Sequence, residues 1–327
     1  MKQMLTEVAI HFGLDKEFRQ AGYHETAAQK QLLQDLKIAA QSGSLVALTG
    51  IIGSGKTTTL RRLFTVLMKE NKILVSKSIS IEKNRSTMTT LISALFYDLS
   101  TDDKEVKIPA SGEKRERDLR DLIKKRKKPV VLFVDEAHDL HYSTLKGLKR
   151  LIEMVEDGGG LLSVLLAGHP KLKNDLRRPT MEEIGSRSTI LTLEGMVGSQ
   201  REYITWLIDV CGSEETKLSD VLTVEAVDIL SERLRTPLQI QQHLMLAMEA
   251  AYQAGEKPVT GAIVESVLSK QIDDLEPKLT RHGYDLRGLA DQFHAKPAEI
   301  KLFFRGQLDP ARTKELTDQM LMAGLPI

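Results

Sequence analysis

Short apolar runs alternate with helical spacings through the first part of the chain, and beyond residue 199 the runs disappear. Leu45-Val46-Ala47-Leu48, ending just before Gly50, has the continuous apolar character of a strand buried on both faces of a parallel sheet. Ile73-Leu74-Val75 opens a second strand and Val130-Val131-Leu132-Phe133-Val134 a third, with Leu161–Ala167 and Ile190–Leu193 as the fourth and fifth. Between them the spacing turns helical. Leu32, Leu33, Leu36 and Ile38-Ala39 precede the first strand, and Leu60, Leu63, Phe64 and Leu67 follow it. Met88, Leu91, Ile92, Leu95 and Phe96 mark a helix over about Thr87–Leu99, and Ser143–Glu156 marks another, stopped by Gly158-Gly159-Gly160. Thr101–Gly112 is polar and reads as a loop. Strands alternating with helices predict an α/β fold, a parallel sheet with helices on both faces.

The remainder reads as helices at Ser199–Val210, Thr223–Arg233, Pro237–Ala254 and Gly261–Leu275, with Thr223 a helix cap and Pro237 in a first turn. The expected organisation is an N-terminal helical segment (1–42), an α/β domain (43–198), a helical domain (199–275) and a short C-terminal helical unit (276–327). With 327 residues, 41% hydrophobic and 28% charged, the chain can bury ordinary cores for about two domains. Its one cysteine, Cys211, forms no internal disulfide. Met1–Gly13 holds no apolar run of signal-peptide length, and no stretch reads as a membrane span, so a cytoplasmic location is expected. The net charge of +1 excludes nothing, because a basic face can coexist with a balanced total. The densest basic run, Lys124-Lys125-Arg126-Lys127-Lys128, reads as a solvated helix end before Pro129.

Gly50-Ile51-Ile52-Gly53-Ser54-Gly55-Lys56-Thr57 fits the phosphate-loop pattern at every position and sits after a strand and before a helix, as that pattern requires. The glycines permit a tight turn whose N–H groups face phosphate oxygens, and the following helix dipole adds to the attraction. Lys56 is expected on the β- and γ-phosphates of ATP and the Thr57 hydroxyl on Mg²⁺, with Thr58 also among the nucleotide-binding residues. The third strand delivers Asp135 beside the metal and Glu136 as general base toward the attacking water. Asp135-Glu136-Ala137-His138 also occurs in a class of helicases, but those need two tandem ATPase domains and a chain of this length has room for one.

An α/β domain with both nucleotide motifs and a helical domain behind it resembles the AAA+ ATPases: a P-loop AAA+ parallel sheet followed by an α-helical lid. The resemblance implies a polar residue after the fourth strand, where Gly168-His169 stands. His169 is then either a γ-phosphate sensor or a turn residue before Pro170. It also implies an arginine finger just before the last strand. Arg187, in Ile184-Gly185-Ser186-Arg187-Ser188-Thr189-Ile190, matches that place, with Arg177 and Arg178 as alternatives and a surface salt bridge as the plain reading. The lid turn Leu234-Arg235-Thr236-Pro237-Leu238-Gln239 departs from the family, because Leu238 stands where an arginine is expected. Either Arg235 substitutes or the lid touches nucleotide weakly.

The flanking words Phe12-Gly13-Leu14, Phe18-Arg19, Glu25-Thr26, Leu48-Thr49-Gly50, Phe133-Val134-Asp135-Glu136-Ala137-His138 and Leu166-Ala167-Gly168-His169-Pro170 are similar to the ExeA-like branch. That branch includes transposition regulators of the TnsC, TniB and MuB kind. Such a resemblance implies an ATP-dependent homo-oligomer, ring or filament, on double-stranded DNA, recruiting a transposase and working with a target-selection protein. It implies backbone contacts to DNA from Lys77, Lys83, Asn84 and Arg85, for which a polar loop is the plain alternative. Asp285–Gly306 looks like a helix-turn-helix, serving transposase docking or DNA contact; its second helix carries only Lys296, Lys301 and Arg305 as cations. The competing expectations are an ExeA-like ATPase in secretion or membrane-complex assembly and a monomeric nucleotide switch.

Overall fold

The computed structural model describes residues 2–77, 87–100, 108–268 and 274–327, with side-chain surroundings from residue 7 onward. Its strands are β1 (Leu45–Thr49), β2 (Leu74–Lys77), β3 (Val130–Val134), β4 (Leu162–Gly168) and β5 (Ser188–Thr192), all parallel in the order β5-β1-β4-β3-β2. The central strands are apolar at nearly every position because both faces are covered. Leu45, Ala47, Leu132, Val134, Val164 and Leu166 enter one core, and Val46, Leu48, Val131, Phe133, Leu165 and Ala167 the other. Helices Met88–Leu99, Gly112–Arg126 and Tyr142–Asp157 feed the first core; helices Ala27–Ala39 and Lys56–Glu70 feed the second.

Local chemistry sets several boundaries. Thr87 caps the helix from Met88 by accepting from the Thr90 amide, and the Thr90 hydroxyl accepts from Thr87 N–H. The basic run ends helix Gly112–Arg126: Lys127 turns left-handed at φ 52°, and Lys128 Nζ donates to the Asn71 carbonyl at 2.8 Å. Strand β5 ends at Thr192, one residue short of the predicted Leu193, and begins at Ser188, two residues early.

The chain divides into two compact units. One comprises residues 27–50 and 56–193, the sheet and its covering helices. The other comprises residues 1–26, 51–55 and 194–327 and is helical. Within the helical unit, Gln200–Cys211, Val224–Arg233 and Pro237–Ala254 share a core built on Tyr203, Leu207, Leu230, Leu244 and Met248. Val8, Phe12, Leu14 and Phe18 from the N-terminus belong to that same core. Cys211 is a buried free thiol, its pKa raised by burial. The helix predicted over Gly261–Leu275 ends at Val267, and a separate helix begins at Leu275. The C-terminal region holds helices Leu275–Arg281, Leu286–Gln292, Pro297–Phe304 and Pro310–Met322 around Leu279, Leu289, Ile300, Leu316 and Met320. The two-helix reading of Asp285–Gly306 therefore describes the middle of a larger helical cluster with its own core.

Leu132, fully buried in β3, tests the sheet. Leu132→Ala should cost about 2–5 kcal/mol by denaturant titration, whereas exposed Leu302→Ala should fall within about 0.5 kcal/mol.

Candidate active site

Parallel strands present their carboxyl ends along one edge of the sheet, and the register decides which ends are neighbours. Thr49 pairs with Gly168, and Val134 with Leu166, so the residues after β1, β3 and β4 emerge side by side. Lys56 opens its helix buried, and its Nζ donates to the Gly50 carbonyl at 2.8 Å. Burial lowers the ammonium pKa, and the Glu136 and Asp135 carboxylates oppose that shift. The Thr57 hydroxyl donates to Asp135 Oδ2 at 2.9 Å, and the other Asp135 oxygen accepts from the Glu136 amide at 2.9 Å. Glu136 lies in left-handed backbone, φ 52° and ψ 36°, a conformation costly for a residue with a Cβ and found where surrounding structure enforces it.

That turn is followed by the short 3₁₀ helix Ala137–Asp139, which brings His138 back toward the end of β4. Gly168 makes room: a Cβ there would lie 3.0 Å from the His138 amide nitrogen and 3.4 Å from its Cβ. The His138 and His169 rings consequently approach to 3.9 Å between centroids. Glu136 Oε2 lies 3.4 Å from His138 Nδ1 and 3.8 Å from His169 Nε2, and Asp139 Oδ1 lies 3.6 Å from His138 Nε2. Both imidazoles are pushed down to about 4, first by burial and then by positive neighbours, Lys171 and Lys56 for His138, and His138 and Lys56 for His169. The pair is neutral at physiological pH.

In the helical unit, the loop residues Gly53 and Gly55 take left-handed φ values of 78° and 102°. A Cβ on Gly53 would come within 2.6 Å of Leu238 Cβ, and the Ile52 amide donates to the Arg281 carbonyl at 3.1 Å. The hydroxyl of Ser54 is buried with no hydrogen-bond partner among the described residues. Thr236 caps the helix from Pro237 by accepting from the Gln239 amide, so Leu238 stands in its first turn. Arg235 anchors this turn through its backbone: its amide donates to Gln239 Oε1 at 3.1 Å and its carbonyl accepts from Met196 N–H at 2.9 Å.

Lys56, Thr57, Asp135, Glu136 and His169 are thus gathered at one edge of the sheet. Arg187 is exposed at the foot of β5 and pairs with Glu153 at 2.9 Å; Arg178 pairs with Asp175 at 2.8 Å. Lys77 ends β2 with its Nζ 3.3 Å from the centre of the Phe64 ring. Lys83, Asn84 and Arg85 lie outside the described residues. In the sequence His138 has no role of its own and stands only within a helicase-like word and an ExeA-like word; the signal that places it at the site is its two-residue spacing from Glu136.

Residues 39–176 match the model of the AAA domain family. A 155-residue stretch is 32% identical to General secretion pathway protein A of Aeromonas hydrophila, covering 45% of this chain and 26% of that relative. The chain therefore matches about a quarter of the relative's length. Among solved structures, Cdc6p from Pyrobaculum aerophilum aligns with a TM-score of 0.53 at 16% identity, covering 97% of this chain and 90% of that one. A Drosophila ORC structure bound to DNA aligns with a TM-score of 0.52 at 15% identity, covering 97% and 83%. The fold is the P-loop AAA+ fold, an α/β sheet with a helical C-terminal part. Among the described residues no helix is long and apolar enough to cross a membrane.

The histidine pair gives a pH signature. Folded values of about 4 lie below the ordinary 6.5, so the unfolded chain binds protons that the folded chain refuses. This penalty is absent above about pH 6.5 and grows as pH falls toward 4. Ring-proton NMR, assigned with His138→Gln and His169→Gln, should show both resonances titrating near 4; a midpoint near 6.5 for either would place that ring in solvent.

Proposed function

We propose that this chain is an ATP hydrolase that assembles on double-stranded DNA as a homo-oligomer, ring or filament, when ATP is bound. In this reading it acts in the cytoplasm and regulates transposition by recruiting or activating a transposase at the target site, with a target-selection protein as a further partner. The observation that carries the enzymatic part is the gathering of Lys56, Thr57, Asp135 and Glu136 at the carboxyl edge of one parallel sheet. The residues fit a magnesium nucleotide. Ser54 offers a buried hydroxyl without a partner, and Gly53 and Gly55 hold the left-handed backbone that a phosphate-cradling loop needs.

Residues Gly50–Thr58 bind the phosphates, and Lys56 exchanges the Gly50 carbonyl for phosphate oxygens. Thr57 and Asp135 hold Mg²⁺, which when bound offsets negative charge on the phosphates. Glu136 takes the proton of the attacking water at its carboxylate, oriented by its own strained turn. His169, a neutral donor at the end of β4, senses the terminal phosphate. Arg187 is supplied to a neighbouring subunit, leaving Glu153 on assembly, and Arg235 serves as the second sensor of the lid.

Lys77, Lys83, Asn84 and Arg85 contact the DNA backbone, which positions the assembly without reading sequence. The DNA part draws support from the shared fold with the DNA-bound Drosophila ORC structure. A second reading, an ATPase of secretion or membrane-complex assembly, is favoured by the 32% identity to General secretion pathway protein A.

Lys56→Ala should abolish ATP binding by equilibrium titration. Glu136→Gln should bind ATP yet hydrolyse it about 10²–10⁴-fold more slowly; normal turnover would put the base elsewhere. Binding to random duplex DNA with ATP, ADP or no nucleotide, with particles viewed by electron microscopy, separates the two assignments. ATP-dependent rings or filaments support the transposition reading, and no DNA binding in any state favours secretion.

A further inference from the structure

Beside the magnesium-ligand pair Thr57 and Asp135 lies a donor set of a different chemical character. One oxygen of Glu136 and one nitrogen each from His138 and His169 all lie within 4.8 Å of one another. Two neutral imidazoles and a carboxylate suit a borderline-soft transition ion such as Zn²⁺, whereas Mg²⁺ prefers oxygen donors and retains its waters. The fold has assembled the set without an obvious structural need for it. His138 Nδ1 and His169 Nδ1 are both buried and have no hydrogen-bond partner among the described residues. The two rings lie 3.9 Å apart, and His138 Nδ1 and His169 Nε2 both face the same Glu136 oxygen.

Outer support is also in place. Asp139 Oδ1 faces His138 Nε2 at 3.6 Å, on the opposite side of the ring from Glu136, in the arrangement of a carboxylate–histidine–metal relay. Gly168 holds the two rings together, since any side chain there would press on the His138 backbone.

We propose that Glu136, His138 and His169 form a zinc-type regulatory metal site distinct from the magnesium site, and that its occupancy withdraws Glu136 from hydrolysis. The inhibitory half rests on the reading of Glu136 as general base. Three protein donors leave a coordination position for solvent, as in open zinc sites. The ion would hold the Glu136 oxygen that must accept the water proton while leaving Lys56 and Thr57 to bind nucleotide. The consequence is an ATP-bound state that persists, the same state that Glu136→Gln produces.

The site is tested with Co²⁺ as a spectroscopic probe, on full-length protein without a polyhistidine tag, free of nucleotide and in excess Mg²⁺. Visible d–d absorption of a low-coordinate ion should appear, saturate at one equivalent and be displaced by Zn²⁺. His138→Asn and His169→Asn should each weaken Co²⁺ binding by tenfold or more. Asp139→Asn, which removes no ligand, should weaken it by about 10–100-fold. His243→Asn, at a histidine hydrogen-bonded to the Gln239 carbonyl in the helical unit, should change nothing. No absorption, or absorption unaffected by both ligand variants, overturns the site. Buffered Zn²⁺ should then slow ATP hydrolysis in the wild type far more than in His138→Asn. A full cobalt spectrum with equal zinc sensitivity in the two proteins keeps the metal site and overturns its inhibitory half, while the base assignment to Glu136 stands or falls separately on turnover by Glu136→Gln.

Discussion

The register between β1, β4 and β3 is the constraint on which everything chemical here depends. Thr49 against Gly168 and Leu166 against Val134 align three strand ends within one sheet edge. A slip of one residue in either ladder would move the acids away from the lysine and turn every apolar side chain of that strand to the opposite face. The two cores therefore guard the site: Leu132 and Phe133 cannot exchange faces without burying gaps on both sides of the sheet. The hydrophobic alternation that stabilises the domain is also what positions Asp135 and Glu136.

Much of this was legible from the amino-acid sequence, and the reasons are local. β3 and the loop before Lys56 announce themselves because a fully buried strand has no polar positions and a phosphate-cradling turn demands glycine. Helix Pro237–Ala254 has the bounds read from the sequence, with Pro237 in its first turn. Helix Leu275–Arg281 escaped separate notice because seven residues give barely two turns of periodicity, whereas Leu286–Gln292 and Pro297–Phe304 are the two helices read within Asp285–Gly306. The second helix break, after Val267, carries no proline or glycine to mark it.

The His138–His169 contact was illegible for a different reason. It depends on two strands far apart in sequence being neighbours, and on a glycine at 168 whose purpose appears only when the neighbouring turn is in place. The N-terminal segment shows the same limit. Val8, Phe12 and Phe18 have helical and turn patterns, but nothing in those patterns names Tyr203 or Leu244 as their packing partners. Leu238 was noticed as a departure, and its place against Gly53 gives the departure a physical content: an aliphatic side chain fills space where a charged one was expected.

The hold of Lys56 on the Gly50 carbonyl has a consequence for ligand choice. A buried ammonium that already has an acceptor gains from a ligand only the difference between two acceptors, not the full value of a new bond. A neutral carbonyl is outcompeted easily by a group bearing several negative charges and poorly by one bearing few. On the proposed nucleotide-binding reading, the loop discriminates by charge density before any shape is read: polyphosphates would displace the carbonyl, and weakly charged metabolites would leave the lysine where it is.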